Sequence, residues 1–401
     1  MSKKNGRRAI VFLWENFGPL HVDRCDAVAR AMREFSIVGL EVLGQSSEYD
    51  WVSEQGEAFE KITLSEPADL GAWSPWRIAS AILKQSPKAV FFCHYQRPGI
   101  LIAAAIVRAC GVETFTMNDS KFDDYPRDLW RELAKSAFFL PYQGALAGSK
   151  RSADYLRFLG IPADRIVVGY DAVSTDRIRY LANAPPAPGG TPFADRHFTV
   201  VARLLPKKNI AIVLRALALL ANEGKARRLV ICGSGPLEIE LKRLTRDLGL
   251  SNLVEFRGFI QTAEVCQTLA QTLALVLPST EEQFGQVIPE ALSMGVPVLT
   301  SDNCGARDHL VRTGVNGFIF EPDNVEGLAY LMSLVGSNEL AWRTMADAAL
   351  QMSEQGDVAY FVEGVRELLR MRSPAEHPAS DTVAEETPEP PPSMELVKHY
   401  A

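Results

Sequence analysis

Apolar runs short enough to be buried strands alternate with helical stretches along most of the 401-residue chain, and they do so in two successive halves. In the first half, strand-like runs are expected at 9–14, 37–42, 89–93, 114–117, 145–147 and 166–168, with helical patterns between them at 22–33, 100–108 and 127–135. The second half repeats the style at 197–202, 228–232, 253–256, 273–277, 296–300 and 317–320. Parallel strands need a crossover to return to the same edge, and a helix supplies it. This alternation therefore predicts two doubly wound, Rossmann-like α/β domains facing each other across a cleft. The stretch 183–196 is rich in Pro and Gly (Pro185-Pro186-Ala187-Pro188-Gly189-Gly190) and is predicted to be the linker. The expected organisation is a first domain over 1–182, the linker 183–196, a second domain over 197–354, a closing helix over 355–372, and a disordered acidic tail over 373–401.

Composition excludes several classes. No apolar run approaches the ~20 residues needed to span a bilayer. The first eight residues include four basic ones, but the apolar 9–13 that follow are too short for a signal-peptide core. That basic start is compatible with contact to anionic lipid or with a plain solvated end. The six cysteines are scattered without metal or disulfide spacing, which suits free thiols in a reducing compartment. The net charge of −7 is concentrated in the tail, where six acids face one lysine after Arg372. No clustered basic face suggests nucleic-acid binding.

The string from Pro278 to Val298, PSTEEQFGQVIPEALSMGVPV, carries the chemistry. A buried strand ends at Leu277, a turn follows, and a helix opens after Gly285, with Pro289 tolerated only near its start. Glu282 and Glu290 then frame a helix N-terminus. Carboxylates accept bonds from hydroxyls, and free helix N–H groups accept phosphate. A ligand with both, such as a sugar nucleotide, fits this layout.

This string resembles the Glu-x7-Glu motif of the retaining glycosyltransferase family usually called family 4, which has the two-domain GT-B fold. The resemblance extends through Pro-Ser, Glu-x-Phe-Gly, Pro-Glu-Ala and Gly-x-Pro-Val. It implies that Glu282 accepts hydrogen bonds from donor-sugar hydroxyls and Glu290 from the ribose. The backbone N–H groups of Phe284, Gly285, Gln286 and Val287 would meet the sugar and phosphate. Arg203 and Lys208 fit the family's Arg and Lys five residues apart. Two fixed cations aimed at a departing diphosphate stabilise the transition state more than the ground state. Gly233 and Gly235, in Cys232-Gly233-Ser234-Gly235-Pro236, resemble the family's Gly-x-Gly-Pro loop and would let backbone approach the nucleotide. Phe259 resembles the wall of the nucleobase pocket. The same Gly-x-Gly lacks a third glycine, so a dinucleotide reading is weak.

In the first domain the pattern thins. Gly18, after the first strand, matches the family's glycine loop, with a plain turn as the alternative. Where many members have a histidine, this chain reads Asn118-Asp119-Ser120-Lys121-Phe122-Asp123-Asp124. Asp119 or Lys121 is left as a candidate for substrate positioning, and Asp123 and Asp124 are read as helix-capping acids rather than metal ligands. His94, at the end of a strand, is the other catalytic candidate, with a structural histidine as the alternative. The segment Asp171-Ala172-Val173-Ser174 departs from the family's Asn-Gly-Val-Asp and receives no catalytic role. The family implies a nucleotide diphosphate sugar as donor, a glycan or lipid-linked acceptor, no metal or other cofactor, and work in the cytoplasm or at the inner face of the cell membrane in polysaccharide biosynthesis. The rival reading is a glycosyltransferase-like scaffold that binds nucleotide or a partner without catalysis. Neither the base, the sugar nor the oligomeric state is legible.

Overall fold

A computed structural model describes residues 7–44, 56–65, 71, 73–93 and 96–370. The expected tail and His94 lie outside the described residues. In the first half, the elements run β1 (Ala9–Trp14), α1 (Pro19–Ala31), β2 (Ser36–Leu43), β3 (Glu60–Ser65), α2 (Pro75–Leu83), β4 (Pro87–Phe92) and α3 (Pro98–Ala109). They continue with β5 (Glu113–Asn118), α4 (Leu129–Lys135), β6 (Gly144–Ala147), α5 (Lys150–Phe158), β7 (Ile166–Val168) and α6 (Thr175–Ala182). All the strands are parallel, in the order β3-β2-β1-β4-β5-β6-β7. The central runs form strands because both faces are covered: β1, AIVFLW, is buried at every position. Proline at the first helical position starts α1, α2 and α3, where its missing N–H breaks no bond. The sequence reading had no counterpart for β3. It is an edge strand with exposed Glu60 and Thr63, so it lacks the apolar continuity of its neighbours.

The second half runs β8 (His197–Val201), α7 (Ile210–Asn222), β9 (Leu229–Cys232), α8 (Glu238–Asp247), β10 (Val254–Gly258), α9 (Thr262–Ala270) and β11 (Thr272–Leu277). It ends with α10 (Val287–Ser293), β12 (Val298–Ser301), α11 (Arg307–Leu310), β13 (Gly317–Phe320), α12 (Val325–Ser337), α13 (Glu339–Met352) and α14 (Val358–Arg370). Its sheet is parallel with order β10-β9-β8-β11-β12-β13. In each sheet the strand order reverses once, between β1 and β4 and between β8 and β11. In open parallel sheets ligands bind at such switch points, outside the C-terminal strand ends. The pair of Rossmann-like domains is the GT-B architecture.

The boundary between the domains falls earlier than the expected 182/183. Helix α6 packs on α9 and α10, and its Ile178 and Ala182 enter an apolar cluster of the second domain. The chain crosses at Ala172–Val173: Ala172 packs among first-domain residues and Val173 among second-domain ones. The Pro/Gly stretch is consequently a strap tied to the second domain. Ala187 is buried and donates its N–H to Met294 O at 2.8 Å, while Arg196 binds the carbonyls of Gly189, Thr191, Ala270 and Thr272. Local Pro/Gly content signals a break in regular structure, but not on which side of it a neighbouring helix packs. The return crossing lies beside the first, with Val173 N–H bonded to Gly356 O and Val358 N–H to Val173 O, both at 2.9 Å. Beyond it α14 packs on α1, β6 and β7, setting Phe361 against Phe12 with ring centroids 5.5 Å apart.

Candidate active site

At the switch point of the second sheet, the loops after β8 and β11 lie against each other. Lys208 Nζ donates to Glu282 Oε2 at 2.5 Å, and Ser279 Oγ donates to the same oxygen at 3.0 Å. Lys207 pairs with Glu281 at 2.8 Å, and Thr280 N–H bonds Lys207 O at 2.9 Å. Asn209 takes a left-handed conformation and spans Pro278 O at 3.2 Å and Pro322 O at 2.7 Å. The two motifs, about 75 residues apart in sequence, are thus one constellation. The Lys208 and Glu282 side chains are 14% and 13% exposed, so the pair is held in place yet open to a ligand. Lysine has three donors, and Glu282 uses one carboxylate oxygen for two bonds, so capacity for a bound molecule remains on both.

Arg203 is exposed in the same β8 loop. Gly233 and Gly235 press on that loop from below. Gly233 has φ +141°, and a Cβ there would fall 1.9 Å from Ala202 O. One on Gly235 would fall 2.6 Å from Leu204 O. Leu204 N–H bonds Ser234 O at 2.8 Å. In this structure, the glycines therefore let the β9 loop approach the loop that carries Arg203. Phe259 follows β10 and is about half exposed.

Phe284 and Val287 are buried, their side chains belong to the core of the second domain, and only their backbone can face a ligand. Gly285 has φ +98° and lies tightly against Cys304 Sγ and Leu277. Glu290 is in the first turn of α10 and is half-buried by accessible area. Its pKa is pushed up to about 7, mainly by desolvation; Arg177 opposes the shift and Asp23 adds to it. Arg177 and Asp23 pair across the domains at 3.2 Å. The ionisation of Glu290 is therefore sensitive to pH near neutrality.

In the first domain, Gly18 caps α1 and its N–H bonds the Nδ1 of His21 at 2.9 Å. Lys121 is fully buried. It pairs with Asp124 and donates to Glu282 O of the second domain at 2.6 Å. This makes it a latch between the domains, and its charge is already committed. Asp123 pairs with Arg151 at 2.6 Å, and Asp124 also accepts from Lys121 N–H at 2.7 Å. Gln283 reaches Ser120 Oγ at 3.1 Å. Arg151 was not expected at the site. It binds Asp308 at 2.9 Å and the carbonyls of Asp302 and Cys304 in the second domain. Asp119 lies beside Asp171, a residue given no role from the sequence, and Asp171 in turn accepts from the Gln286 amide across the domain boundary. The raw signal for Asp171 was an acid where the family has asparagine. Its partners could not be read, because Arg24, Asp119 and Gln286 are 147, 52 and 115 residues away in sequence.

The family model described as glycosyl transferases group 1 matches residues 189–372. Over 224 residues the chain is 25% identical to the amylovoran biosynthesis glycosyltransferase AmsK of Erwinia amylovora, covering 54% of this chain and 52% of that one. Over 165 residues it is 29% identical to the poly(glycerol-phosphate) alpha-glucosyltransferase of Bacillus subtilis, covering 41% of this chain and 24% of the other. The chain thus spans about half the length, or less, of these curated relatives. Anabaena Alr3699/HepE, solved in complex with UDP, superposes with a TM-score of 0.67 at 20% identity, over 90% of this chain and 99% of that one. Among the described residues no helix is long and apolar enough to cross a membrane.

Proposed function

We propose that this chain, a member of glycosyl transferases group 1 by its residues 189–372, moves a sugar from a nucleotide diphosphate sugar to a hydroxyl of a glycan or lipid-linked acceptor in polysaccharide biosynthesis. The observation that carries this reading is the meeting of Lys208, in the loop that also bears Arg203, with Glu282 at the switch point between β8 and β11. A cation for phosphate and an acid for hydroxyls side by side is what a donor with both groups requires. The UDP held by the Anabaena protein and the polysaccharide role in the name of AmsK point the same way.

In the proposed reaction, Arg203 and Lys208 take up the negative charge that grows on the leaving diphosphate, with Arg able to grip two oxygens and Lys acting as a point charge. Glu282 orients the sugar and Glu290 the ribose. The bond from the anomeric carbon to the phosphate oxygen breaks and a bond to the acceptor oxygen forms on the same face. The acceptor proton passes to the departing phosphate, so configuration is retained without a protein nucleophile and without metal. The test is a thermal-shift panel of UDP, GDP, ADP and their glucose conjugates. A ligand at 100 times its dissociation constant adds about 2.7 kcal/mol, which corresponds to a rise of roughly 5–10 °C. No shift with any of them defeats the reading. With a binding donor in hand, the anomeric configuration of the product tests retention.

A further inference from the structure

Asp171 lies at the first crossing between the domains, and no role proposed above uses its side chain. It is 6% exposed. Its Oδ1 accepts from Arg24 Nη2 at 3.4 Å and from the Gln286 amide, whereas its Oδ2 is buried without a hydrogen-bond partner. Gly148 leaves the space for that oxygen: a Cβ there would fall 2.3 Å from Asp171 Oδ2 and 3.0 Å from Asp119 Cβ. The charged and titratable groups facing Asp171 are Arg24 from α1, Asp119 from the loop after β5, and its neighbour Tyr170. The loop after β6 offers only Gly148, and the approach to α10 only the uncharged Gln286. The one cation is shared, because Arg24 Nε also donates to Ala172 O at 3.1 Å and its guanidinium lies 4.8 Å over the Tyr170 ring.

This is a poor place for a carboxylate charge. A buried anion needs its oxygens bonded and its charge matched, and here one oxygen is orphaned and a second acid stands alongside. Burial first, and Asp119 second, push the Asp171 carboxyl up to about 8. These surroundings favour the neutral acid at pH 7, against the opposing pull of Arg24 and the Gln286 amide.

We propose that Asp171 is a positioning residue of the donor site: by holding the Gln286 amide across the domain boundary, it fixes the approach to α10 and hence the turn that carries Glu290. The proposal rests on the reading of that site as one for a nucleotide diphosphate sugar. Neutrality serves the role, since a charged carboxylate at this depth would repel an incoming diphosphate through a medium that screens poorly. Ionisation would also leave two acids facing each other across Gly148.

Isothermal titration of the full chain with UDP, GDP and ADP, from pH 6 to 9.5, tests this. For wild type, affinity declines above about pH 8 as the carboxylate forms. Asp171→Asn keeps the shape of the neutral acid, so its affinity at pH 7 stays within about twofold and the decline above pH 8 disappears. Gln286→Ala weakens binding about tenfold, and adding Asp171→Ala to it costs nothing more, because the two act through one bond. A wild-type-like decline in Asp171→Asn, or additive losses in the double variant, overturns the proposal. If the wild type binds none of UDP, GDP and ADP, the donor-site reading fails and the positioning role falls with it. Nucleotide binding untouched by every Asp171 and Gln286 variant removes the positioning role alone.

Discussion

Gly233→Ala is the sharpest probe of how the second domain seats the loop that carries Arg203. The added methyl group would sit 1.9 Å from Ala202 O and 2.8 Å from Ala202 C, both backbone atoms. A comfortable carbon–oxygen contact is about 3.3 Å, so the loops must separate by more than about 1 Å. The bonds that hold them are Ala202 N–H to Cys232 O at 3.0 Å and Leu204 N–H to Ser234 O at 2.8 Å. Losing both costs about 2 kcal/mol net, and alanine at φ +141° adds about 1–3 kcal/mol of strain. The sum is about 4 kcal/mol, or a fall of roughly 10 °C in the second domain's melting transition. Arg203 rides on the displaced loop, so UDP affinity should drop at least about tenfold. Gly249→Ala supplies the control, since Gly249 has φ +72° with nothing within 4 Å. It keeps the backbone strain without the collision and should cost about 1 kcal/mol with normal affinity. Calorimetry and isothermal titration on both variants decide the matter. If Gly233→Ala melts no lower than Gly249→Ala and binds UDP normally, the close approach of the two loops is not what requires glycine there.

Two further outcomes are expected. Burial raises the Glu290 carboxyl to about 7, while the proposed ribose role needs its carboxylate to accept from the hydroxyls. Nucleotide affinity should therefore rise about tenfold per unit of pH up to about 7 and level there, before the decline above about pH 8 expected from Asp171, whereas Glu290→Gln should bind weakly and without the rise. A wild-type affinity flat between pH 5.5 and 7 removes Glu290 from the ribose role. Lys208→Ala should weaken diphosphate binding by about tenfold or more while leaving binding of the free nucleoside unchanged, because the proposed role has this cation meet the diphosphate and not the nucleoside. Equal losses for uridine and UDP would place Lys208 in structural support of Glu282 instead.

Much of this was readable along the chain, for reasons that are local. Runs such as Leu273–Leu277 declare buried parallel strands because both faces are covered, and the turn and helix signals from Pro278 to Pro297 depend on neighbours within a few positions. The two-domain class and the strand–turn–helix reading of 273–297 followed from these. Strand β3 escapes because an edge strand can carry charge, and the packing of α6 on α9 and α10 is not legible because Pro and Gly mark a break and not a packing partner.

What the sequence determined by itself was the kind of fold and the residue types gathered at one end of the second sheet. Only the tertiary structure decided which of them meet. Lys208 finds Glu282 because β8 and β11 are neighbours at the switch point. Lys121 is a buried latch because its ammonium lies between Asp124 and a carbonyl of the other domain. Asp171, one acid among many in the sequence, is pushed toward its neutral form by burial first and by Asp119 second, against the pull of Arg24 and the Gln286 amide. Protonation depends on the surroundings that the fold assembles from distant segments, and no pattern of neighbouring residues encodes it.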